Sequence, residues 1–265
     1  MSGARAWWLA QLRDDLEHAL RSDELRLHYQ PGLDLADGRV TGLEALLRWA
    51  HPRRGLLTPG AFLKQAEDSG LISPIGAWVL NRACQQAAGW TVGQPDATAT
   101  VWVNLSAREL AHPQLATTIQ DALDAAGLPP GVLFLEIGED VLLHDPRARQ
   151  RLAALKELGA RVAIDRFGAS YPCVADLPRL PVDMVKVDRS LVARLPNDPR
   201  AKGAVRAIVA LAGGLGMAST AEGVETGAQL AAVRGLGCDL AQGFCVGQPA
   251  PIDAADRRPP RPPRP

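Results

Sequence analysis

The sequence has no excess charge of either sign: 29 Lys and Arg balance 29 Asp and Glu, for a formal net charge of zero. Non-specific nucleic-acid binding draws on a surplus of basic side chains against phosphates, so DNA is not an expected partner. No apolar run approaches the roughly 18 residues of a membrane-spanning helix. The opening stretch, MSGARAWWLAQLRDDLEHAL, places acids where a signal peptide would be apolar. Its Leu9, Leu12, Leu16 and Leu20 recur at helical spacing instead, which predicts an amphipathic helix over residues 4–20. The cysteines, Cys84, Cys173, Cys238 and Cys245, form no CxxC pair and lie in core-like segments, as buried free thiols would. The histidines are scattered, with neither HExxH nor HxxxH spacing, so zinc is not expected. These absences predict a cytoplasmic location and no membrane span within this chain.

What is present is a chain of 265 residues, 47% hydrophobic, long enough to bury a substantial single core. Strand patterns fall at Glu24–Asp34, Val40–Trp49, Thr100–Leu105, Val132–Ile137, Arg161–Phe167, Met184–Val187, Ala218–Gly223 and Leu240–Val246. Helical patterns fall between them, at Pro59–Ser69, Pro74–Trp90, Gln114–Ala126, Asp145–Leu158 and Ala201–Leu215. Strands alternating with helices argue for βαβ units and a parallel sheet. Eight strand candidates make a closed α/β barrel of the TIM type more economical than an open sheet. One domain is expected over residues 1–252, and the Pro/Arg-rich residues 253–265 are expected to be a disordered tail.

The acids carry the functional signal. Several apolar runs end in a carboxylate or amide: Asn104 in VWVN, Glu136 in LFLE, Asp165 in VAID and Glu222 in STAE, with Glu44 inside the second run. In a barrel the carboxyl ends of the parallel strands meet at one face, where catalytic residues gather. Any one such acid alone would be read as a helix cap or a surface charge. Repeated on strand after strand, they would repel one another in a partly desolvated site unless a hard cation lay among them. All-oxygen ligation favours Mg²⁺, Mn²⁺ or Ca²⁺ over zinc. Lys186, in MVKVD, adds a positive charge at the same face, while Asp188 and Glu225 read as structural or supporting groups.

An ordered set of motifs resembles a known family. Tyr29-Gln30-Pro31 precedes Glu44-Ala45-Leu46, followed by Asn104-Leu105-Ser106, Glu136-Ile137-Gly138-Glu139, Lys186-Val187-Asp188, Glu222-Gly223-Val224-Glu225-Thr226 and Gln242-Gly243-Phe244. From about Leu16 to Pro251 the chain is similar to the EAL domain of bacterial cyclic di-GMP phosphodiesterases. The resemblance implies a modified (β/α)₈ barrel that opens cyclic di-GMP to pGpG with two Mg²⁺ or Mn²⁺ ions. It implies that Glu44, Asn104, Glu136 and Asp165 hold the first metal, and that Asp165 and Glu222 serve the second. Lys186 would orient the attacking water. Arg48 would grip a phosphate and Gln30 a guanine, with Leu46 and Gln242 lining the pocket. Glu139 would anchor a loop and support a homodimer.

The sequence departs from that family at one metal ligand. The family's Asp-Asp-Phe-Gly is here Asp165-Arg166-Phe167-Gly168, and the Thr-Gly-Tyr-Ser loop that follows is Ala169-Ser170-Tyr171-Pro172. Gly138 stands where a threonine is usual. Arginine cannot ligate a cation and stays protonated at any relevant pH. Arg166 is expected either to swing out of the site, leaving water to complete a weak second metal shell, or to pair with Asp165 or Glu222 in place of the missing metal charge, where its fork would hold a ligand phosphate. The sequence therefore predicts a cyclic di-GMP receptor with lost or impaired hydrolysis that signals to an unknown downstream protein. A working phosphodiesterase and an interaction domain without nucleotide binding are the alternatives.

Overall fold

The structure, a computed structural model, describes residues 12–91, 99–145, 147–169 and 177–252. Residues 12–19 form helix α1, whose Leu12, Leu16 and Ala19 are buried against the barrel; the rest of the expected helix, Cys173, and the 253–265 tail lie outside the described residues. Strands β1 (Leu25–Asp34), β2 (Val40–His51) and the short β3 (Gly55–Leu57) follow. Next come α2 (Leu63–Ser69), α3 (Ile72–Thr91), β4 (Thr100–Leu105), α4 (Ala107–Leu110), α5 (Leu115–Ala126), β5 (Leu133–Gly138), α6 (Glu139–His144) and α7 (Ala148–Glu157). The chain continues through β6 (Arg161–Phe167), β7 (Met184–Val187), α8 (Arg189–Val192), α9 (Pro199–Gly214), β8 (Ala218–Ala221), α10 (Gly227–Gly235) and β9 (Leu240–Gln242).

The strands run in the order β1-β9-β8-β7-β6-β5-β4-β2-β3, and β1 also pairs with β2, which closes an eight-stranded barrel with β3 appended outside it. The fold is thus the expected α/β barrel with one correction to the parallel sheet: β1 is antiparallel to both β2 and β9. The link from Asp34 to Val40 is too short for a crossover, so β1 and β2 must form a hairpin. Several element bounds differ from expectation. The helix expected at Asp145–Leu158 is α7, which begins only at Ala148, and the separate short helix α6 before it was not expected. The last strand ends at Gln242, because the backbone at Gly243 passes against Val224, where an added Cβ would meet the Val224 nitrogen and oxygen at 2.3 Å. Strand β3 carried no signal long enough to read.

Alternation along the strands sorts the barrel interior into two layers. Below lie Trp102, Phe134, Ala163, Met184 and Leu240, a packed apolar cluster. Two residues further along each strand lie Asn104, Glu136, Asp165, Lys186 and Gln242, so the polar groups stand on an apolar floor. Trp102 fills that floor because β1 and β2 offer only glycine beside it. A Cβ on Gly32 or Gly42 would lie 2.2 or 2.3 Å from the indole.

Candidate functional site

Lys186 is fully buried at the centre of the polar layer. Its Nζ lies 2.7 Å from Glu136 Oε1, 2.8 Å from Glu222 Oε1, 3.2 Å from Glu44 Oε2 and 3.9 Å from Asp165 Oδ1. Trp102 supports it from below, with the ring centroid 5.6 Å from Nζ, a distance at which the face of the indole attracts a cation. Glu44 is the best satisfied of the acids. Asn104 Nδ2 donates to its Oε1 at 2.8 Å, and Gln242 Nε2 donates to its Oε2 at 2.6 Å. By contrast, both oxygens of Glu136 and Oδ1 of Asp165 are buried without a hydrogen bond.

One ammonium among four carboxylates leaves surplus negative charge, and the titration behaviour follows from it. Burial works against the ionised form of Glu44, but Lys186, Asn104 and Gln242 outweigh it and hold that carboxyl below its usual range. Burial and then the neighbouring Glu44 push Glu136 well above its usual range. Glu222 is pushed up to about 7, by burial and by Asp165 and Glu44, against the opposing pull of Lys186. Burial would lower Lys186, yet Glu136, Glu222, Glu44 and Asp165 together hold it well above an ordinary lysine. The cluster keeps its lysine charged and takes up protons readily on two of its acids.

Two clefts flank Glu44. The larger, about 490 Å³, is lined by Glu44, Leu46, Asn104, Asp165 and Arg166 together with apolar groups of α3 such as Ile75 and Val79. The smaller, about 200 Å³, is lined by Gln30, Glu44, Arg189, Glu222, Gln242 and Phe244. Gln30 lies opposite Glu44 in the β1–β2 ladder and donates to the Gly247 carbonyl at 3.0 Å. Arg48 is half-buried further along β2 and donates to the carbonyl of Leu47 at 2.8 Å, not to the acid cluster. Glu139 is buried, and its Oε2 accepts from the Gly168 amide at 3.2 Å, where the chain leaves β6.

Arg166 stands apart from the cluster's interior. It is left-handed at φ 56°, within a register shift between Ile164 and Phe167. Its Nη2 lies 3.2 Å from Asp140 Oδ1 and its Nε 3.5 Å from Asp165 Oδ2. Of the two partners expected for it, the structure places Asp165 beside it and adds Asp140, which the sequence did not suggest. Asp188 is a cap, accepting from the Ser190 amide at 2.8 Å at the start of α8. Sequence reading passed over Phe244, which is 58% exposed at the smaller cleft although its motif was in view. It also passed over His28, whose imidazole is held below its usual range by partial burial and by the charge of Arg48. An aromatic directly after the Gln242-Gly243 pair was the available signal for the first, and strand alternation from Gln30 for the second.

The acids and amide at this face are all oxygen donors, and the buried oxygens of Glu136 and Asp165 that face the Lys186 ammonium without a hydrogen bond suit a hard divalent cation. Among the described residues no three His, Cys, Asp or Glu side chains are already gathered as a metal cage, because the carboxylates converge on the Lys186 ammonium. Glu44, Asn104, Glu136 and Asp165 carry the donor chemistry that one such ion would need if the carboxylates turned from Lys186 towards it. A second ion would have only Asp165 and Glu222 to hold it, with the Arg166 guanidinium alongside.

The profile of the EAL domain matches residues 13–249. The chain is 42% identical over 253 residues to the cyclic di-GMP phosphodiesterase NbdA of Pseudomonas aeruginosa, covering 95% of this chain and 32% of that protein. It is 43% identical over 244 residues to the bifunctional diguanylate cyclase/cyclic di-GMP phosphodiesterase MucR of the same organism, covering 92% of this chain and 36% of MucR. The chain thus spans about a third of the length of these relatives. Among solved structures, the MucR phosphodiesterase in complex with c-di-GMP matches with a TM-score of 0.87 at 42% identity, over 92% of this chain and 99% of that one. The Xanthomonas citri FimX EAL domain in complex with c-diGMP matches with a TM-score of 0.86 at 26% identity, over 95% of this chain and 98% of that one.

Proposed function

Because this chain belongs to the EAL domain family, we propose that it binds cyclic di-GMP across the two clefts and hydrolyses it poorly or not at all, acting as a receptor. The observation that carries this reading is the guanidinium of Arg166 lying 3.5 Å from Asp165, at the strand end where the family places a second acidic ligand. A permanent cation there opposes a second metal ion, and two-metal hydrolysis needs both ions to flank the scissile phosphate.

The rest of the site supports binding. Glu44, Asn104, Glu136 and Asp165 would hold one Mg²⁺ or Mn²⁺, which when bound neutralises phosphate charge and acidifies a coordinated water. Lys186 keeps its proton and holds Glu136 and Glu222 at 2.7 and 2.8 Å, so it orients those carboxylates whether or not hydrolysis follows. Gln30 and Phe244 offer an amide and an exposed ring in the smaller cleft, matched to a flat, hydrogen-bonding base. Leu46 and the α3 side chains give the larger cleft an apolar wall. Arg48 is the expected phosphate contact from β2.

The test is a melting curve with and without cyclic di-GMP. A ligand that binds only the folded state at 100 times its Kd adds about 2.7 kcal/mol. The expected outcome is a clear upward shift with no pGpG formed, and Arg48→Ala should remove most of it. An unshifted melt would leave the interaction-domain reading, and pGpG formation would leave the phosphodiesterase reading, which the kinship to NbdA and MucR favours.

A further inference from the structure

We propose that Arg166 is a phosphate-binding residue that supplies positive charge in place of a second metal ion, and that Gly138 and Asp140 hold its guanidinium in position. The inference rests on the cyclic di-GMP reading and deepens it: ligand binding at this site is independent of a second divalent cation.

Three residues from three elements fit one another. Arg166, at the bulge of β6, reaches across to the end of β5, where Gly138 pairs with Asp165 in the ladder. A Cβ at Gly138 would lie 2.5 Å from Arg166 Nη2 and 2.4 Å from Asp140 Oδ1. Gly138 itself has φ −60°, a conformation open to every residue, so backbone freedom does not account for the glycine. The Arg166 and Asp140 side-chain ends occupy the space a Cβ would take there, and a methyl group would displace both.

The guanidinium so held is available to a ligand. Its contacts to Asp165 and Asp140 run through Nε and Nη2, while a guanidinium carries five N–H donors, more than those two contacts use. The side chain is 59% exposed, and among the described residues lining the larger cleft Arg166 is the one cation. That charge matters because the carboxylate cluster beside it would repel a phosphodiester. The planar fork matches two phosphate oxygens at once, which a lysine at the same place could not do.

The experiment titrates the whole chain with cyclic di-GMP by calorimetry, once in EDTA and once in Mn²⁺, and counts bound Mn²⁺ by electron paramagnetic resonance. Wild type should bind the dinucleotide in EDTA and take up at most one Mn²⁺. Arg166→Gln should weaken binding in EDTA at least about tenfold, the scale of losing charge-assisted hydrogen bonds. Gly138→Ala should weaken it in the same direction with Arg166 intact, a result that a purely structural glycine would not give when the melting temperature is unchanged. Arg166→Lys should recover only part of the affinity. If wild type binds and Arg166→Gln binds equally well in EDTA, the inference is overturned while the receptor reading stands. If wild type binds in neither condition, the receptor reading itself falls. Two Mn²⁺ ions per wild-type chain would also overturn the proposal.

Discussion

At the scale of single residues, the site is governed by an imbalance of charge. Glu222 is raised to about 7, and Glu136 is raised well above its usual range by burial and by Glu44. For an acid whose folded pKa exceeds its unfolded value, the native state holds more protons, so stability falls as pH rises between the two values. For Glu222 that window runs from 4.5 to about 7. In EDTA the chain should therefore melt lower at pH 7.5 than at pH 5.5, and Glu222→Gln should narrow the difference in a thermal scan. Protons and a divalent cation compete for the same oxygens, so Mn²⁺ affinity should rise over the same window. An affinity flat with pH would mean these carboxylates are not the ligands. Asn104, Glu136, Asp165 and Glu222 could be read from the sequence because each ends an apolar run, while Glu44 and Lys186 stand out as charges inside theirs. Asp140 could not: it is an ordinary helix-start acid until β6 bulges and sends Arg166 towards it.

At the scale of elements, the strands were legible and their ends were not. Short apolar runs identified β4 to β7 nearly to the residue, because a parallel strand buried on both faces reads as a near-continuous apolar stretch. The last strand was overextended because apolar side chains continue past Gln242 while the ladder stops where Gly243 meets the Val224 backbone. The antiparallel β1 is set by the length of a link, which hydrophobic pattern does not encode. Element ends also carry checkable energies. Thr226 caps α10, accepting from the Gln229 amide while the Gln229 side chain returns to the Thr226 amide. Thr226→Ala should cost about 1 kcal/mol in urea unfolding with cyclic di-GMP affinity unchanged. Gly42→Ala sets a methyl group 2.3 Å from the Trp102 ring and should cost more than that cap, about 1–3 kcal/mol as an overpacked core does. Its effect should reach the site as well, since Trp102 is the surface on which Lys186 rests. Equal effects of the two substitutions on ligand affinity would argue against that coupling.

At the scale of the whole molecule, the closed barrel brings residues from β2, β4, β5, β6, β7 and the ends of β8 and β9 to one rim. No two of the central acids are closer than 29 positions in sequence. Their repulsion is tolerable because the barrel is held by its apolar lower layer and by helices packed outside, both independent of the rim. Such a frame keeps its shape whatever stands at a single rim position, and for that reason family membership and fold were readable from the chain while the proposed loss of hydrolysis turns on the one residue Arg166. The most direct test is conversion of cyclic di-GMP to pGpG, followed by chromatography with Mg²⁺ and Mn²⁺ separately, for wild type and Arg166→Asp. Aspartate is among the residues that accept the left-handed backbone at this position, so the substitution changes the charge without requiring a new turn. Wild type should show no appreciable turnover and Arg166→Asp measurable turnover. Brisk turnover by wild type would contradict the proposed loss of hydrolysis, and would mean that the guanidinium beside Asp165 is compatible with a working two-metal site.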